Sequence, residues 1–132
     1  MGGNKLTDTA LQFLRTMPQI EYLDLGGTQR TDSGLWSLAI TPAGLRAVGS
    51  ATELRELSLA GTTVNAQGLQ ELRPLGKLER LNLQGTKQLH DDAVGVLASL
   101  QHLRMLDLKD SAMTAQAVER LRAALPECRV LF

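Results

Sequence analysis

The amino-acid sequence predicts an α/β fold built as a stack: short parallel strands, each followed by a turn and a short helix. Three observations predict it. A nine-residue segment with leucines at fixed places returns four times. Between the copies, apolar residues return at steps of three. Ahead of each such run, at a fixed distance, stands a residue that is usually Thr or Asn.

The strand segments come first. Ile20-Glu21-Tyr22-Leu23-Asp24-Leu25-Gly26-Gly27-Thr28 recurs as Leu54-Arg55-Glu56-Leu57-Ser58-Leu59-Ala60-Gly61-Thr62. It returns as Leu78-Glu79-Arg80-Leu81-Asn82-Leu83-Gln84-Gly85-Thr86 and as Leu103-Arg104-Met105-Leu106-Asp107-Leu108-Lys109-Asp110-Ser111. A fifth copy starts at Cys128 and runs to Phe132. The spacing is 24 residues from Leu54 to Leu78, then 25 to Leu103 and 25 to Cys128. Within each copy the alternation of leucine with other residues puts the leucines on one side of a strand and the intervening residues on the other.

The helical halves follow. Leu11, Leu14, Met17 and Ile20 keep a step of three, as do Leu69, Leu72, Leu75 and Leu78, and then Val94, Leu97, Leu100 and Leu103. Such a step suits a short helix rather than a strand. The column Thr7, Thr31, Asn65, His90 and Thr114 precedes the helical runs. All but His90 are natural N-caps, whose side-chain oxygen accepts a free amide of the first turn. At His90 the repeat carries one extra residue, so Asp91 is the alternative cap. A single unit cannot bury its apolar edge, whereas four or five stacked units enclose a continuous leucine core. The whole chain, 1–132, therefore reads as one domain. It has a half-repeat at 6–19, repeats from 20, 54, 78 and 103, and a terminal strand at 128–132.

One interval breaks the register. Ile20 to Leu54 is 34 residues, ten too many, and Gly34-Leu35-Trp36-Ser37-Leu38 is echoed by Gly44-Leu45-Arg46-Ala47-Val48. Thr41-Pro42 fits a cap followed by proline at the first helical position. The expectation is a ten-residue helical insertion around 31–45, bulging on the helical side. Trp36 either packs this bulge onto the core or anchors a partner there. At the other end, Val130, Leu131 and Phe132 would leave an apolar edge with unpaired backbone groups, open to self-association.

The pattern resembles the leucine-rich repeat proteins, and among them the bacterial type with repeats near 24 residues. The resemblance extends from Leu6 to Leu131. It implies a right-handed solenoid with the parallel sheet on the concave face and short helices on the convex face. The Asn usual after the strand in that family is Thr28, Thr62, Thr86 or Ser111 here, where a hydroxyl serves the neighbouring loop backbone instead.

Composition narrows the function. Fourteen Lys and Arg balance fourteen Asp and Glu, which disfavours nucleic acid or an anionic membrane surface as partner. No apolar run approaches the roughly 20 residues of a membrane helix. One cysteine, Cys128, gives neither an intrachain disulfide nor a cysteine metal cage, and in this register it takes a core position. The opening residues lack the apolar stretch of a signal peptide, and Leu6 breaks the myristoylation pattern. Together these point to the cytoplasm, although a domain cut from an exported effector reads identically. Gly26-Gly27 and Gly61 lack the spacing and lysine of a phosphate loop. His90-Asp91-Asp92 reads as a helix start, with His102 half a repeat away, and no paired acid and base is placed by the register. No metal, cofactor or catalytic site is expected.

The columns between the core leucines carry the functional expectation. Before the central leucine stand Tyr22, Glu56, Arg80, Met105 and Val130. After it stand Asp24, Ser58, Asn82, Asp107 and Phe132. The flanking column Glu21, Arg55, Glu79, Arg104 and Arg129 mostly alternates in sign and reads as a structural ladder. The mixed chemistry of the inner columns suits a protein partner. The reading is a non-enzymatic protein-interaction module whose concave face binds through Tyr22, Asp24, Glu56, Ser58, Arg80, Asn82, Met105 and Asp107. The alternatives are an assembly domain joined through its C-terminal edge strand, and an enzyme regulator or effector fragment.

Overall fold

The computed structural model describes residues 19–24, 28–31, 34–37 and 42–132, with side chains at 19–24 and 45–132. The half-repeat expected before residue 19, including Thr7, and the cap expected at Thr41 lie outside the described residues. Five short strands, β1 (Tyr22–Asp24), β4 (Glu56–Ser58), β5 (Arg80–Asn82), β6 (Met105–Asp107) and β7 (Arg129–Leu131), form one parallel sheet in that order. Helices α1 (Pro42–Gly49), α2 (Ala66–Leu69), α3 (Val94–Ala98) and α4 (Ala115–Ala124) connect successive strands.

The leucine register lines up across the sheet. Leu23, Leu57, Leu81 and Leu106 are direct neighbours. Leu57, Leu81 and Leu106 are buried, as are Leu59, Leu83 and Leu108 two residues on. Each fully buried leucine contributes roughly 1.5–3 kcal/mol of transfer free energy. The step of three has a local cause. Helix α2 tightens into a 3-10 turn at Gln70–Leu72, and in that geometry side chains three apart eclipse one another. Leu75 and Leu78 follow through two further bonds of the same span, from the Leu75 amide to the Leu72 carbonyl and from the Leu78 amide to the Leu75 carbonyl. With Leu69 and Leu72 they all reach the core.

The turns after the strands use the hydroxyls that stand where the family has Asn. Buried Thr62 donates its hydroxyl proton to the Leu59 carbonyl at 2.6 Å, and buried Thr86 does the same to Leu83. At Ser111 the bond differs: its oxygen accepts from the Met113 amide at 3.4 Å. One residue earlier the backbone turns left-handed, at Gly61 and Gly85 with φ 75° and at Asp110 with φ 60°. Aspartate is one of the few side chains that tolerates that region.

The ten-residue insertion departs from expectation. Its first half is not helical: β2 (Thr28–Thr31) and β3 (Gly34–Ser37) form a separate antiparallel hairpin, with Gln29 opposite Trp36 and Thr31 opposite Gly34. Thr31 is thus a strand residue and not a helix cap. Threonines and tryptophan favour extended backbone, and Asp32 and Ser33 between the strands are turn formers. The apolar step of three is represented here only by Leu35 and Leu38, too short a run to nucleate a helix. The second half is the expected helix α1, beginning at Pro42.

The final repeat holds a second correction. Met105 pairs with Arg129, Leu106 with Val130 and Asp107 with Leu131. Val130 therefore enters the core, 6% exposed, and Arg129 takes the place on the sheet face expected for Val130. The cause is a spacing one residue short. Six positions separate Leu75 from Leu81 and Leu100 from Leu106, but five separate Leu125 from Val130. A slip of one residue exchanges the two faces of a strand. The edge is also less bare than the sequence implies. Arg129 N–H and the Leu131 carbonyl bond to β6, so the Val130 peptide groups point outward, and Arg122 donates to the Val130 carbonyl at 3.2 Å.

Asn65 and Thr114 are side-chain N-caps, accepting from the Gly68 and Ala117 amides. His90 occupies a cap position without a side-chain bond, and Asp91 does not cap its own helix. It reaches across to the next repeat instead, accepting from the Thr114 amide and the Thr114 hydroxyl, each at 2.8 Å. Those two bonds hold the Asp91 carboxyl below the usual carboxylate range, opposed by a smaller desolvation effect. A depressed carboxyl pKa gives stability that is complete above the unfolded value, near pH 4, and is lost as the pH falls through the folded value. Asp91→Ala should therefore flatten the acid limb of the stability profile relative to the parent, read as thermal midpoint between pH 6 and pH 2. An acid limb of unchanged steepness would contradict this role.

Candidate functional site

The sheet face carries two columns of side chains. The first is Tyr22, Glu56, Arg80, Met105 and Arg129; the second is Asp24, Ser58, Asn82, Asp107 and Leu131. All eight sequence-predicted residues, Tyr22, Asp24, Glu56, Ser58, Arg80, Asn82, Met105 and Asp107, line one open groove of about 600 Å³. The period of two along each strand, with the leucines committed to the core, delivers them to one side. Arg129 is the face residue that the repeat register misassigned; the short interval between Leu125 and Val130 is the signal that could have found it.

The two columns differ in what they do. In the second column, Asn82 Oδ1 accepts from the Gln84 amide and Asp107 Oδ1 from the Lys109 amide, each at 3.0 Å, and Ser58 Oγ from the Ala60 amide at 3.5 Å. These are local closures of the chain as it leaves the strand, a habit of Asn, Asp and Ser side chains. Asp24 also has a partner of its own. In the first column, Tyr22 is 66% exposed and Arg80 approaches Glu56 at 4.0 Å, both ends open to water. An exposed pair of this length contributes about 0–1 kcal/mol and opens readily.

Beside the face runs the flanking ladder. Arg55 lies 3.2 Å from Glu79 and 3.9 Å from Glu21, and Lys77 lies 2.7 Å from Glu53. These contacts join neighbouring repeats, as the alternating signs imply. His102 lines a smaller groove of about 330 Å³ on this flank, away from His90. Among the described residues no group of three or more His, Cys, Asp and Glu side chains could hold a metal ion. Cys128 is half-buried against the core, and burial pushes its thiol pKa up, which opposes the thiolate form a nucleophile needs. The backbone of Trp36 lies in β3, but its side chain lies outside the described residues. No helix among the described residues is long and apolar enough to cross a membrane.

No family model matches the chain. The disease resistance protein RFL1 of Arabidopsis thaliana is 33% identical over 112 residues, which are 83% of this chain and 11% of that protein. The chain thus spans only a small part of that relative. Among solved structures, a leucine-rich repeat protein of Leptospira interrogans matches with a TM-score of 0.55 at 27% identity, over 72% of this chain and 23% of that one. The tropomodulin C-terminal domain of Caenorhabditis elegans matches at 0.58 with 15% identity, over 91% of each chain. The Mex67:Mtr2 subunits of Chaetomium match at 0.62 with 15% identity, over 95% of this chain and 89% of that one. At that identity the last two show a shared fold alone. The parallel ladder, its returning leucine register and the likeness to the Leptospira protein agree: the chain is a leucine-rich repeat protein.

Proposed function

We propose that this chain is a non-catalytic protein-interaction module that holds its partner on the sheet face. The observation that carries this reading is the convergence of side chains from β1, β4, β5 and β6 on a single groove, with the first column free of bonds to backbone among the described residues. Paired strands fix the backbone from which these side chains project, so little backbone freedom is lost on binding. The non-catalytic half is supported at Cys128, whose thiol lies outside the groove and is pushed up by burial, away from the thiolate that a nucleophile needs. A cytoplasmic location is part of the same proposal.

Binding energy concentrates in few residues, with large, partly apolar side chains among the foremost. Tyr22→Ala and Met105→Ala should each weaken binding by more than about 1 kcal/mol. The measurement starts from peptides selected on the intact chain out of a random library, mapped by NMR. Shifts confined to the groove residues and lost affinity in both variants are expected. Selected peptides that map to the helical side, or bind both variants as well as the parent, would overturn the reading. Assembly through β7 has less support, because Arg122 already occupies the outward Val130 carbonyl.

A further inference from the structure

We propose that the occupant of the sheet groove is an extended basic segment with two lysine or arginine side chains four residues apart; this rests on the sheet-face reading above. Charge gives the first argument. The charged side chains lining the groove are Asp24, Glu56 and Asp107 against Arg80 alone, and Arg80 is turned toward Glu56. The lining is therefore acidic, although the chain as a whole is neutral.

Arrangement gives the second argument. At both ends of the groove an apolar side chain stands beside a carboxylate: Tyr22 with Asp24 on β1, and Met105 with Asp107 on β6. Such a pair fits a lysine or arginine, whose methylene stem lies on the apolar group while its head meets the charge. Asp107 uses one oxygen for the Lys109 amide and makes no ion pair among the described residues. At the other end the exposed Tyr22 ring suffices, since a cation over an aromatic face is held by the ring itself. Three strand intervals separate the ends, about 14 Å at roughly 4.8 Å each. An extended chain covers that span in about four residues, and an even number returns both side chains to the same side. Arg129 stands one strand further on and repels a third basic residue there.

The test uses two synthetic peptides in a Gly-Ser host, one with lysines at positions i and i+4 and one with glutamates. Each is titrated into the full chain while the Tyr22 ring and Met105 methyl signals are followed. The lysine peptide should shift both signals and weaken as salt rises. Asp107→Asn and Tyr22→Ala should each raise its Kd by about threefold or more. Equal binding of the glutamate peptide, or lysine-peptide shifts that miss Tyr22 and Met105, would overturn the proposal. The library selection separates the two readings. Peptides that map to the groove but lack a basic pair leave the sheet-face reading standing and defeat this one. Peptides that map elsewhere defeat both.

Discussion

Leu83→Ala is expected to cost about 2–5 kcal/mol, the largest loss from any single truncation considered. Leu83 is fully buried, between Leu59 of the repeat before and Leu108 of the repeat after, both also fully buried. Each repeat in such a stack leans only on its neighbours. A cavity in the middle therefore weakens two interfaces at once. Against a total stability of roughly 5–15 kcal/mol, the variant should unfold at a markedly lower urea concentration. A midpoint shift equivalent to under about 1 kcal/mol would show that the core collapses around the deletion and is less rigid than its packing implies.

Gly49→Ala is expected to destabilise by about 1–3 kcal/mol, and its sign is the informative part. Helix propensity alone favours alanine by about 1 kcal/mol. A Cβ at Gly49, however, would run into the Glu71 backbone carbonyl of the following repeat. That atom belongs to the 3-10 turn behind Leu69 and cannot swing aside as a flexible side chain would. The control is Gly95→Ala in α3, where an added Cβ meets nothing within 4 Å. That variant should gain about 0.5–1 kcal/mol. Opposite signs for the two substitutions, measured by chemical denaturation, are the expected result. Two gains would mean that α1 and the 3-10 turn are free to separate.

The ladder was legible in the sequence because every copy repeats the same constraint: a leucine every second residue in the strand and every third in the helix. Agreement among four copies outweighs the ambiguity of any one. The eight groove residues were legible for the same reason, since the face follows once the leucines are assigned inward. The misses fall where a single copy departs from the others. At Gly34–Ser37 the pattern Gly-Leu-x-x-Leu imitated a helix start, while Thr28, Thr31 and Trp36 favoured strands and the pairing of β2 with β3 decided the outcome. At β7 a missing residue between Leu125 and Val130 moved Arg129 to the face, which counting from the strand leucine Leu103 missed and counting from the helical leucine Leu125 shows. At His90 the extra residue released Asp91 from its own helix, and only three-dimensional proximity to Thr114 reveals where it went.

The division of labour between the two columns of the face bears on how such a surface changes over time. Ser58, Asn82 and Asp107 tie off the chain at the ends of their strands. A substitution there disturbs a turn before it alters any recognition. Glu56, Arg80, Met105 and Arg129 have no such duty among the described residues, and neither does Tyr22. Mutational drift at these five places leaves the scaffold untouched. New preferences can therefore be sampled one strand at a time, at small cost in stability, while the neighbouring column stays fixed. Variation among natural versions of this chain should accordingly concentrate in the first column and spare the second.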